Sequence, residues 1–415
     1  MDPLQSAVVV GVAATVALAL ATALLPMDRR LRWYKPSGVI ETLVDPSAGA
    51  KETFKCLYGP EEYCYNTTRM RQPVLRKFVK ELEARGAGGD RAYSRISVAE
   101  QAVIFLNFLA HNLSIRQLRR QYQHSHATFS TIIKRISKIV CLMSEDFIRM
   151  PRQLDPPPPH EKMIKKSKDN TSCSSHGKFH WFKDAVGALD GTLLPMNLPE
   201  DIRGVWNSRK GFISQNVMAA CDFNMVFQYV MVGYEGSAPD SVVLKKAYKD
   251  GFDVPPGRYF LADGGYSALD SRLLVPYEST RYYIREQRAA KRRPETKEEL
   301  YNLRHAQLRN VVERVFGVIK KRFPILVEGA HTGYGIREQT RFILCCFVLH
   351  NFILLSGDQP LDSEPFLIDL RDDGDDSDDE ADGDGEDGLD DLGDIGSRAR
   401  VRFRDEMASA MWKDY

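Results

Sequence analysis

The spacing of apolar residues changes rhythm along the chain, and each rhythm predicts a different kind of element. From Ser97 it is helical. "SVAEQAVIFLNFLAHN" opens with Ser97 and Glu100 at capping-box spacing and then shows an apolar face. "SIRQLRRQY" (residues 114–122) predicts a short second helix starting at another serine. "HSHATFSTIIKRISKIV" sets Ile132, Ile133, Ile136, Ile139 and Val140 on one face of a third. Helix, short helix, tight turn and longer helix over residues 90–150 is the outline of a helix-turn-helix unit, although any small three-helix bundle shares it.

Residues 151–179, rich in proline, lysine and serine, read as a linker. From residue 180 to 356 shorter apolar runs predict strands mixed with helices, hence an α/β domain. "DAVGALDGTLLPM" is a strand carrying Asp190, and residues 211–234 read as two strands joined by a turn at Asp222, Phe223 and Asn224. "EGSAPDSVVLKKAYKD" places Asp240 where a loop enters a helix. "RYFLADGGYSAL" is a buried strand running into Asp263, and "NLRHAQLRNVVERVFGVIKKRF" is a helix with Glu313 beside Val311, Val312, Val315 and Phe316.

The two ends follow other rules. Residues 7–26 carry no charge over twenty positions, about the length of a membrane-spanning helix. The preceding "MDPLQS" lacks the basic start of a secretory signal. Arg29, Arg30, Arg32 and Lys35 follow, so residues 1–35 would form an anchor that leaves the body on the cytosolic side. The plainer alternative is an Ala/Val-rich helix packed on the body. Residues 357–415 are expected to be a largely disordered acidic tail.

Net charge changes this picture. The chain totals +1, but residues 372–394 hold 14 Asp or Glu and no Lys or Arg, leaving about +15 on the rest. A body so basic suits a polyanion such as DNA, or simply aids solubility. Within the third helix Lys134, Arg135 and Lys138 stand off the apolar stripe, and Arg116, Arg119 and Arg120 precede them as candidate phosphate contacts. The seven cysteines form no C-x-x-C pair and are odd in number, which suits a reducing compartment and excludes a cysteine-built zinc site.

Taken singly, the acids have ordinary explanations. Asp190 before Gly191 suits a turn, Asp240 suits a helix start, and Glu313 could pair with Arg309 or Arg314. Together, two acids at strand ends and one on a late helix can converge at the mouth of a sheet. Carboxylates so gathered repel unless a cation lies between them. Hard oxygen ligands without cysteine favour Mg²⁺ or Mn²⁺. Two such ions, about 4 Å apart, would activate a water and steady the departing oxygen of a phosphodiester. Gly264 and Gly265 would let such a cluster approach the backbone closely.

The run of motifs "ALDGT", "WNSRKGFISQNVMAACD", "GSAPDSVVL", "LADGGYSA", "RNVVERVFGVIKKRFPIL" and "CCFVLHNFI" resembles the PIF/Harbinger-type DDE transposases and their domesticated nuclease-like relatives, over about residues 183–355. The resemblance implies an RNase H-like mixed sheet flanked by helices, with Asp190, Asp263 and Glu313 as catalytic triad and Asp240 as a further metal ligand. It implies DNA as substrate, met by Arg209, Lys210, Lys320, Lys321 and Arg322, and the nucleus as the place of work. His350 and Asn351 read as structural. Two functions follow: a metal-dependent DNA endonuclease or transposase, or a domesticated DNA- or chromatin-binding adaptor that does not cleave. A separate DNA-binding partner and a homo-oligomer are compatible with either. The apolar N-terminus and the acidic tail depart from the family pattern.

Overall fold

Serines start the helices that the apolar spacing predicts. The computed structural model describes residues 47–88, 96–152, 179–278, 280, 293–331, 333–357 and 394–415. Its first three helices are α1 (Ala48–Tyr58), α2 (Glu61–Thr68) and α3 (Gln72–Ala84). Then come α4 (Val98–His111), α5 (Ile115–Tyr122) and α6 (His126–Leu142), with a final turn α7 (Ser144–Phe147). Ser97, Ser114 and Ser125 cap α4, α5 and α6, each hydroxyl accepting from the backbone N–H three residues on. The capping box is complete at Ser114 and Gln117. At Ser97 only half of it forms, because the Glu100 carboxylate is engaged by His124 Nε2 at 2.5 Å. All five residues of the predicted stripe on α6 are buried.

The sheet has five strands: β1 (Ala185–Pro195), β2 (Ser214–Cys221), β3 (Phe227–Glu235), β4 (Tyr259–Leu261) and β5 (Leu273–Leu274). Their order is β3-β2-β1-β4-β5. The first three strands form an antiparallel meander, and β4 and β5 add to β1 in parallel. This mixed sheet with flanking helices agrees with the α/β expectation.

The central strand feeds two layers, and a register irregularity between Ala185 and Gly187 sets residues three apart on the same face. Val186 and Leu189, with Met218, Ala220 and Met231, pack under α8 (Asp240–Lys249) through Val243, Leu244 and Ala247. Ala185 and Ala188, with Val217, Ala219 and Phe227, face α9 (Lys297–Arg322) and α11 (Ile336–Leu355); the short α10 (Ile325–Glu328) lies between these two in sequence.

That second layer continues into the N-terminal helices without a break. Phe78 of α3 meets Phe352 of α11 edge-on at 5.6 Å, and Phe108 of α4 meets Phe342 at 5.1 Å. Asn112 Nδ2 donates to the Gly329 carbonyl at 2.9 Å. The helical region and the sheet region, which the sequence separates by a linker, therefore share one core within the unit Ala48–Tyr415.

The apolar run near the N-terminus was the segment expected to meet a membrane. Residues 7–26 lie outside the described residues. Among the described residues only α11 is long and apolar enough to cross a bilayer, and its Phe342, Cys345, Phe347 and Leu349 are buried in the protein core. The described cysteines are free thiols.

The end of the chain differs from expectation. Asp394–Lys413 form a helix, α12, where a disordered tail was expected. Met407, Ala408 and Met411 are buried in the core, and the Arg404 guanidinium lies 4.1 Å over the Tyr277 ring. Tyr277 donates to Asp405 Oδ1 at 2.7 Å.

Candidate active site

Each acid reaches the site from a different element. Asp190 lies in the middle of β1, paired with Ala219 of β2. Asp263 follows β4 by two residues, and β4 is registered to β1 at Ala188 and Leu261, so its C-terminal end runs out beside Asp190. Glu313 is on α9, which packs across β1. Asp240 is the first residue of α8, where its charge complements the helix dipole. It makes no side-chain cap; its Oδ1 accepts from Asn216 Nδ2 of β2 at 2.6 Å.

One guanidinium gathers three of the four. Arg309 Nη1 is 3.2 Å from Asp190 Oδ2, and its Nη2 is 2.5 Å from Glu313 Oε1 and 3.8 Å from Asp263 Oδ1. Pairing of Glu313 with Arg309 was legible in the sequence as an i, i+4 contact. Its reach to Asp190 and Asp263 was not, since both are remote in sequence. Asp240 approaches from the other side of β1: a β-carbon on Gly191 would stand 2.6 Å from its Oδ1.

Burial raises the Asp190 carboxyl to about 7; Arg309 opposes that rise, and Asp263 and Glu313 add to it. A carboxyl in that position readily trades a proton for a cation. Tyr266 stands beside the same acids. Its phenol is 3% exposed and its hydroxyl has no hydrogen-bond partner among the described residues. Burial first, then Asp240, Asp190 and Asp263, hold it protonated well beyond its ordinary range. An orphaned donor facing clustered acids is costly unless a further group enters.

The donor set thus fits a hard divalent cation: four carboxylates, no thiolate, and an unspent hydroxyl. Asp190, Asp263 and Glu313 serve Arg309 instead and Asp240 is held by Asn216, and among the described residues no three potential ligands converge on a common metal position. Gly265 faces open space and a β-carbon on Gly264 would only make ordinary contact with Pro276 at 3.7 Å, so protein packing does not require glycine there. The glycine that presses on the site is Gly191, whose close neighbour is the end of the Asp240 side chain.

The basic residues are spread more widely. Arg116, Arg119 and Arg120 are exposed on α5, as are Lys134 and Lys138 on α6, while Arg135 is half-buried and donates to the Gly86 carbonyl at 3.1 Å. Lys134 Nζ is 3.5 Å from Glu338 Oε1. Arg209 and Lys210 are exposed in the loop before β2, which opens opposite Pro195 at the far end of β1 from the sheet's parallel half. Lys321 is exposed at the end of α9 and Lys320 is half-buried.

Arg322 corrects the expectation of a phosphate contact. It is 6% exposed, its Nη1 3.4 Å from His350 Nδ1, because the helix turns it inward on the same face as Val315 and Ile319. His350 and Asn351 are structural, as expected. His350 Nε2 is 3.0 Å from the Met225 carbonyl, and Asn351 Nδ2 donates to the Phe147 and Phe227 carbonyls at 2.8 and 2.7 Å.

Residues 189–351 match the model of the DDE superfamily endonuclease family, and all four acids fall inside that match. This stretch is a DDE superfamily endonuclease domain. Residues 46–142, holding α1 to α6, match a domain of unknown function (DUF8040). "Protein ALP1-like" from Arabidopsis thaliana is 29% identical over 46% of this chain and 48% of its own length. "Putative nuclease HARBI1" is 28% identical in Bos taurus, over 41% of this chain and 46% of that protein. Its Homo sapiens counterpart is 25% identical over 68% of this chain and 76% of its own length. The chain thus spans about half the length of the first two relatives. No solved structure matches.

Proposed function

We propose that this protein cleaves DNA phosphodiester bonds with Mg²⁺ or Mn²⁺ held by Asp190, Asp240, Asp263 and Glu313. The observation that carries this reading is the meeting of Asp190, Asp263 and Glu313, from two strand positions and a helix, around a single positive charge. The DDE endonuclease match supports it independently.

Held by Asp190, Asp240, Asp263 and Glu313, a divalent cation would supply Lewis-acid activation of the attacking water and neutralise charge on the departing 3′-oxygen. The chain's own residues prepare that chemistry. Asp190 is held by the backbone N–H of Gly191 at 2.8 Å, which fixes Oδ1 and leaves Oδ2 to Arg309. Asn216 orients Asp240 and is itself anchored through Nδ2 to the Ala238 carbonyl at 2.9 Å. The Tyr266 phenol stays protonated and so keeps a hydrogen-bond donor beside the acids. The exposed bases on α5 and α6, with Arg209, Lys210 and Lys321, supply contacts to the DNA backbone and no base-specific chemistry by themselves.

The test is nicking of supercoiled plasmid by the full chain with Mn²⁺ or Mg²⁺, against Asp263→Asn. Metal-dependent nicking that disappears in the variant is expected. Well-folded wild-type protein that binds plasmid and leaves it intact would instead support the non-cleaving adaptor.

A further inference from the structure

We infer that Arg309 is a built-in counter-ion of the acid cluster: its guanidinium holds the carboxylates together while no metal is bound, and a divalent cation must displace it. Arg309 thereby sets how tightly the metal is held. The inference rests on the function proposed above and concerns a residue outside the acidic set.

Three carboxylates repel one another, and one of them, Asp190, is only 20% exposed. Something positive must lie among them for the fold to tolerate the arrangement. Arg309 does so with two nitrogens, and its side chain is only 17% exposed. Its shortest contact is to Glu313 one turn on along α9, and from there it also reaches Asp190 and Asp263 of the sheet. The guanidinium carries no more than one charge for three acids, so the cluster remains short of neutral. A divalent cation is the better match.

Both cannot occupy the same oxygens. Glu313 Oε1 and Asp190 Oδ2 now point at guanidinium nitrogens, and among the described residues no three potential ligands converge on a metal position. Arginine does not lose its proton in proteins, so it can vacate the cluster only by swinging its side chain away. Metal binding therefore includes the cost of breaking the contacts to Asp190, Asp263 and Glu313. Removing the guanidinium lifts that cost and leaves the acids more eager for any cation. Arg309 is a positioning residue here: it acts through the ligands.

The experiment uses full-length protein stripped with chelator and titrated with Mn²⁺ alone, read by calorimetry and by unfolding temperature. Arg309→Gln should bind Mn²⁺ at least about tenfold more tightly than wild type. It should melt at a lower temperature without metal and gain more from Mn²⁺. Arg309→Lys, which keeps the charge, should stay within a few-fold of wild type. Lys249→Gln, at an exposed position at the end of α8, should change neither quantity.

Equal or weaker Mn²⁺ binding by folded Arg309→Gln overturns the inference. Should that variant unfold without metal, refolding on addition of Mn²⁺ supports it and failure to refold overturns it. The two ideas fail separately. Plasmid nicking by wild type with unchanged Mn²⁺ affinity in Arg309→Gln removes only the counter-ion role. Absence of Mn²⁺ binding in every protein removes the metal reading and the counter-ion with it.

Discussion

Gly191 and Asp240 meet so closely that a β-carbon on the glycine would stand 2.6 Å from Oδ1 of the aspartate. The clash falls on the end of a side chain that Asn216 holds in place. Gly191→Ala should therefore leave the fold intact while pushing Asp240 aside. The expected loss is about 10- to 100-fold in metal affinity or nicking, the usual cost of disturbing a ligand's support. Circular dichroism and thermal unfolding check the fold, and Mn²⁺ titration checks the site. Unaltered Mn²⁺ affinity would show that Asp240 is not a ligand.

The unpartnered hydroxyl of Tyr266 gives opposite expectations with and without metal. In metal-free protein, Tyr266→Phe removes a buried donor that bonds to nothing among the described residues, so stability should hold or rise by up to about 1 kcal/mol. With Mn²⁺ present, the variant should gain less stability than wild type. Paired melts with and without Mn²⁺ separate the two, and an equal metal-induced shift in both proteins would refute the assignment.

Two buried histidines make the fold sensitive to acid. Burial pushes His305 down to about 4 and His350 down to about 3, the latter also repelled by Arg322. Each unfolded ring takes its proton near 6.5, well before the folded ring does. Stability is thus fully present above about pH 6.5 and is lost as pH falls toward the folded values, by about 2 kcal/mol per histidine at pH 5. Comparing unfolding midpoints at pH 7 and pH 5, His350→Gln should lose roughly that much less than wild type. An identical pH dependence would mean the ring is not held neutral.

The closing helix should matter for stability. A chain ending at residue 393 uncovers the surface that Met407, Ala408 and Met411 bury and frees Tyr277 from Asp405. Losing two buried methionines alone predicts more than about 2 kcal/mol. Urea denaturation of the shortened chain reads this directly, and an unchanged midpoint would mean α12 only rests on the body.

What was legible in the sequence was what local pattern fixes. Alternating or continuous apolar runs marked β1 to β4, and Asp222 marked the turn between β2 and β3, where its Oδ1 accepts from Asn224 and Val226 N–H at 2.8 and 2.9 Å. The acids stood out because charge at the end of a buried strand is conspicuous. What escaped was decided through space. Arg309 is one arginine among many until β1 and β4 bring their acids to it. Arg322 follows two lysines and looks like surface until α9 is rotated against α11. The spacing of Phe403, Met407, Ala408 and Met411 is helical, but arginines and the acidic run upstream obscured it.

The shared core of the N-terminal helices and the sheet has a geometric consequence. If α5 and α6 grip DNA, they cannot range over it independently, since Phe108 and Phe78 fasten their neighbours to α11. Grip and cut would then lie a constant number of base pairs apart, dictated by the protein's own dimensions. Such a molecule works as a ruler, and lengthening residues 153–178 should leave its measure unchanged.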